Sequence, residues 1–124
     1  MKYEIALGSL RRGIPLAAHV KPLRPNARAW IGIYPLLDPR ATDTAPVLRR
    51  HRIASVPEGE LLCCVRVFEV DEASLEGDRW LCEEDLHPRS ERVVVGVAAL
   101  AAEIERCGVG EDALEYQGDI DYPI

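Results

Sequence analysis

Residues 61–70 read LLCCVRVFEV, and the fold turns on the purpose of the two adjacent cysteines, Cys63 and Cys64. Successive side chains of an extended strand point to opposite faces. Leu61, Cys63, Val65 and Val67 then line one face, and Leu62, Cys64, Phe68 and Val70 the other. Apolar residues on both faces mark a central strand covered on both sides. Cysteine in such a place behaves as a small hydrophobe. A zinc or redox site wants C-x-x-C spacing or histidines in register, and neither is present. A disulfide between neighbours on a strand would need a distorted peptide unit. The pair reads as buried, reduced and structural.

Working outward from this strand, the residues before it read as further strands separated by turn residues. Residues 2–7 (KYEIAL) are a short strand stopped by Gly8-Ser9. Residues 14–23 are apolar but carry Pro15 and Pro22, which suit an edge or a strand end. Residues 29–37 contain Trp30, Ile31, Ile33 and Tyr34, all favoured in strands. A loop follows at 38–44, and residues 47–56 (VLRRHRIASV) read as a strand with a charged middle. Spacing of about 13–16 residues between strand centres suits an antiparallel meander rather than parallel crossovers, each of which needs its own helix.

Past Val70 the period changes. Residues 71–77 form an acidic turn or a single helical turn, and residues 79–86 are ambiguous until His87-Pro88 closes them. Val93, Val97, Leu100, Ile104 and Cys107 recur at helical steps, so a helix is expected over 91–107 with Ser90 as N-cap and Gly108 just beyond its end. The β-branched run Val93-Val94-Val95 can instead open as a strand. The expected fold is therefore α+β: an antiparallel sheet of four to five strands, mostly from residues 2–70, with one main helix packed on one face, all in a single domain spanning 1–124.

The composition fits a globular chain. Of 124 residues, 48% are hydrophobic and 29% charged, enough apolar material for a core. No apolar run reaches the ~18 residues that a membrane span requires. The first residues make a poor signal peptide, and four cysteines without a signal are expected to be reduced, so the expected location is cytoplasmic. Charge is lopsided. Residues 1–53 carry ten Lys/Arg and three Asp/Glu, and residues 54–124 carry five and eighteen. The halves thus stand at +7 and −13 within a net −6. Such asymmetry either neutralises internally or marks a contact surface.

Four places could carry chemistry, Cys63-Cys64 being the first. Cys82, Asp85 and His87 offer metal or Cys-His catalysis, but hard and soft ligands are mixed, and acidic neighbours raise a thiol pKa. His51, within Leu48-Arg49-Arg50-His51-Arg52, resembles a phosphate-contacting patch, yet −13 on the other half opposes nucleic acid. The C-terminal tail interleaves Asp112, Glu115, Asp119 and Asp121 with Tyr116 and Tyr122. Carboxylates steer a basic partner, and rings supply contact area. Nucleophile elbow, phosphate loop, dinucleotide fingerprint and H-E-x-x-H motifs are all absent, so no catalytic residue, metal or cofactor is expected. The expectation is a non-catalytic acidic module that binds a basic protein through the six tail residues, as an immunity or antitoxin protein would bind a basic nuclease. The alternatives are a small enzyme or ligand-binding domain with a pocket between sheet and helix, and a structural homodimer.

Overall fold

A computed structural model describes residues 1–36, 43–76 and 81–123. It contains five strands, β1 (Leu16–Val20), β2 (Ala27–Pro35), β3 (Leu62–Asp71), β4 (Leu86–Val95) and β5 (Glu115–Tyr116). All pair antiparallel in the order β4-β3-β2-β1-β5. Helices α1 (Tyr3–Arg11), α2 (Thr44–Arg50), α3 (Glu72–Leu75) and α4 (Val97–Arg106) complete the fold. The α+β class and the antiparallel sheet are as the sequence indicates. The loop read at 38–44 lies mostly outside the described residues, as do residue 77 of the acidic turn and residues 79–80 of the ambiguous stretch.

Three elements differ from the reading above, each for an identifiable reason. Residues 2–7 are not a strand but the first part of α1. Tyr3, Ala6, Leu7 and Leu10 share one helical face against the core, and Gly8 is carried inside the helix rather than stopping it. The stop comes at Gly13 (φ 85°), where Gly13 N donates to Leu10 O and Ile14 N to Ser9 O, the paired bonds of a left-handed C-terminal cap. Residues 47–56 are not a strand either. Pro46 stands in the first turn of α2, where its missing N–H is no loss. The helix ends at Arg52 (φ 59°), with Ile53 N donating to Leu48 O. Finally, the first part of the expected helix belongs to β4. Ser90 lies in the strand, and the turn into α4 occurs at Gly96 (φ 94°), whose N–H bonds Leu61 O. The valines at 93–95 keep their β-branched preference, and α4 closes at Gly108 (φ 78°) where expected.

The sheet separates two apolar clusters. Helices α1 and α4 cover one face, where Ala6, Leu10, Leu100 and Ile104 pack on Ile31, Ile33, Cys63, Val65 and Val67. On the opposite face Trp30 and Phe68 stack with centroids 6.0 Å apart, joined by Val70 and Leu86. At the end of the sheet the carboxylate of Glu69, only 1% exposed, accepts from Leu23 N at 2.9 Å and Arg24 N at 3.0 Å, with Arg89 at 3.4 Å. It clasps the β1–β2 loop from beneath. Arg89 is the extra residue of the β4 bulge, so the irregularity aims this side chain at the clasp.

Candidate functional site

The acidic tail is built into the domain. Leu114 is buried in the helix-side cluster, whereas Ile120 and Tyr122 pack against the aromatic cluster on the other face. Residues 114–122 therefore wrap around the edge of the sheet as a strap. Between these ends β5 pairs with β1, Tyr116 opposite Leu16 and Glu115 opposite Ala17. Gln117 Nε2 donates to Leu16 O at 3.5 Å, and Tyr122 N to Gln117 O at 3.2 Å. Asp121 adopts a left-handed conformation (φ 54°) that turns Tyr122 onto the sheet. The Tyr122 ring meets Phe68 edge-on at 5.5 Å, and its hydroxyl hydrogen-bonds Tyr34 Oη. Gly32 makes the space: a Cβ there would collide with the Tyr122 hydroxyl and come within 2.9 Å of Tyr122 Cζ.

The six tail residues read from the sequence are thus distributed around one edge. Asp112 is exposed beside the start of α1, its Oδ1 accepting from Tyr3 N at 3.3 Å. Glu115 is half-buried and accepts from the Met1 ammonium at 2.9 Å, which also binds Leu114 O at 2.8 Å. Tyr116, 38% exposed, lays its hydroxyl 3.4 Å from Ser9 Oγ of α1. The carboxylates of Asp119 and Asp121 are exposed and make no hydrogen bond or ion pair among the described residues. Tyr122 faces the sheet and anchors the strap. Burial, followed by the bond to Tyr34, pushes its phenol well above the ordinary range.

A second cluster was not legible in the sequence. On the helix-free face Arg66 stands opposite Gly32 of β2 and Glu91 of β4. Its guanidinium lies 5.6 Å from the Phe68 ring centroid and grips Glu83 at 2.6 and 3.4 Å. The Arg66 bond holds the Glu83 carboxyl below its usual range, and the same bond raises Arg66. Cys64 lies beside it, 3.7 Å from Glu91 Oε1, and Arg50 reaches Glu91 at 3.6 Å. Residues 34, 50, 64, 66, 83, 91 and 122 meet only through strand register and the strap, so no local spacing announces them.

The remaining candidates separate. Cys63 is buried under the helices and Cys64 half-buried on the other face, and all four cysteines are free thiols. Burial pushes Cys63 up to about 12 and Cys64 up to about 11, Glu91 adding to the second. Neither is a nucleophile near neutral pH. Cys82 Sγ bonds Asp85 at 3.3 Å, whereas His87 Nε2 bonds Asp71 at 3.1 Å, so these groups serve different partners. No group of three or more His, Cys, Asp or Glu able to hold a metal exists among the described residues. His51 caps α2 at its C-terminus, with Nε2 buried and without a hydrogen-bond partner among the described residues. An open depression of about 570 Å³ lies between Arg11, Pro57, Gly59, Glu60 and Val95 and the first turn of α4. No histidine lines it.

Among the described residues, few ion pairs join the acidic half to the basic one. Arg24–Asp71 at 3.1 Å and Arg50–Glu91 at 3.6 Å join the halves. Arg66, Arg89, Arg92 and Arg106 are instead spent on Glu83, Glu69 and Glu103 within the acidic half itself. No helix among the described residues is long and apolar enough to cross a membrane. No family model, curated protein or solved structure matches the chain.

Proposed function

We propose that this protein is a non-catalytic binding module that presents an acidic surface to a basic protein partner, in the manner of an immunity or antitoxin protein neutralising a basic nuclease. The observation that carries the reading is the strap. It is seated at both ends in apolar clusters, so Asp112, Asp119 and Asp121 are displayed around Tyr116 at fixed positions rather than on a loose tail. A surface whose charges are already positioned loses little conformational freedom on association. Acidic side chains can occupy the places where substrate phosphates would sit on a nuclease, and their field speeds encounter.

The test is purification of the tagged protein from its native host at low and high salt, with bound proteins identified by mass spectrometry. The reading expects a basic protein that is retained at low salt and lost at high salt. Equal retention by an Asp119→Lys/Asp121→Lys variant would refute it, as would recovery of a nucleic acid in place of a protein.

The Arg66 cluster favours a second reading, ligand binding on the helix-free face. Saturable binding of a small oxyanion, abolished by Arg66→Gln, would support that reading.

A further inference from the structure

Among the described residues only Ile5, Leu23 and Tyr116 are large apolar side chains standing in solvent. Two of these three belong to α1 or touch it. The Tyr116 hydroxyl rests on Ser9 of α1, and Ile5, 54% exposed, is one helical turn before Ser9 on the same face of that helix. Side chains four residues apart on a helix have Cβ atoms about 6 Å apart. Helix α1 and strand β5 thus meet at Ser9 and Tyr116, with Ile5 one turn along the helix. Glu4, Glu111, Asp112 and Asp119 are exposed on the same elements and the turns beside them, and Glu115 is half-exposed. Lys2, Arg11 and Arg12 are the exposed cations of this edge, Arg11 reaching Gly59 O and Arg12 turned toward Ser9 Oγ, each at 3.4 Å. The edge is therefore net acidic beside the apolar Ile5 and Tyr116. Interfaces that bind well have this anatomy: an aromatic or aliphatic anchor at the middle, with charge at the rim.

We infer that the α1–β5 edge is the docking surface for the basic partner, with Ile5 and Tyr116 as its anchor and the strap carboxylates as its rim. This rests on the reading of the protein as an acidic binding module, and adds where the partner sits and what it must carry: cationic side chains interleaved with an apolar one. The charge of the rim selects the occupant, because a second copy of the chain would bring like charges together, whereas a basic surface is complementary. Ile5 is the added residue. It comes from the opposite end of the chain and from an element whose sequence reads as a strand.

The experiment uses two synthetic peptides, each with six arginines, spaced by glycine in one and by leucine in the other. Each is titrated into the isotope-labelled protein at low salt and followed by amide chemical shifts. Both peptides are expected to perturb residues 111–121, and the leucine peptide to bind about fivefold tighter and to move Ile5, Gly8 and Ser9 as well. Ile5→Ser and Tyr116→Ser are each expected to erase the fivefold preference for the leucine peptide. A preference that survives both substitutions overturns the docking assignment while leaving the acidic reading standing. If neither peptide binds saturably, the acidic reading fails and this assignment with it. Concentration-dependent dimerisation abolished by Ile5→Ser would instead assign the edge to a second copy and overturn the proposal.

Discussion

Gly32 decides more at the scale of single residues than its size suggests. It is fully within β2, opposite Arg66 on one side and Ala17 on the other, and its missing side chain is the seat of Tyr122. Gly32→Ala is expected to expel Tyr122 and lower stability by about 1–3 kcal/mol, the range for overpacking a filled site. Denaturant unfolding gives the energy, and amide exchange at residues 117–122 shows whether the strap is what came loose. Cys63 makes a second test. A hydroxyl in its place would lie in apolar surroundings, so Cys63→Ser is expected to cost about 1–3 kcal/mol. The same burial sets a pH dependence. The folded thiol titrates at about 12 against an ordinary value of 9.0, so the unfolded chain loses its proton first. Stability from this group is complete below pH 9.0 and falls as pH rises from there toward about 12. An unfolding midpoint that does not decline over that window, or declines equally in Cys63→Ser, would contradict the burial.

Elements differ in how openly the sequence announces them. Strands β1, β2 and β3 are legible because apolar, aromatic and β-branched residues predominate in each, with only single polar residues between them. The body of α4 is legible because Leu100, Ile104 and Cys107 keep a helical period and Gly108 ends it. Where the reading goes astray, a local signal is overridden by packing. Gly8 looks like a terminator, but Leu10 behind it is drawn into the core and the helix continues. Ser90 looks like an N-cap, but pairing with Val67 holds it in the sheet. Of the candidate site, the carboxylates and tyrosines of the tail were visible as a composition. Their wrapping around the sheet edge was not, since it depends on Gly32 and Phe68 far away in sequence. The Glu69 clasp is another contact of this kind, and it gives a prediction for the β1–β2 loop. Glu69→Ala strands the N–H groups of Leu23 and Arg24 and the charge of Arg89, and is expected to cost about 3 kcal/mol. Urea titration measures this, and faster exchange of the Leu23 and Arg24 amides assigns it to the loop.

For the whole molecule, the issue is where +7 and −13 meet. Had the halves neutralised each other, the basic side chains of residues 1–53 would lie against the strap. Among the described residues the cross-half pairs are instead Arg24–Asp71 and Arg50–Glu91, away from it, together with Met1–Glu115 at its root. Asp119 and Asp121 face solvent, so their field acts outward, and exposed charges of this kind are screened beyond ~8 Å at physiological ionic strength. The most direct measurement is therefore made on the Asp119→Lys/Asp121→Lys variant and the parent protein, comparing melting temperature and association with the co-purified partner at two salt concentrations. The expected result is at most the small drop in melting temperature that a lysine at the left-handed position 121 costs, an association rate reduced at least about tenfold at low salt, and a parent rate that falls steeply as salt is added. A variant that melts lower yet binds its partner at the parent's rate would contradict it, showing that the strap's charge serves the fold and not a partner.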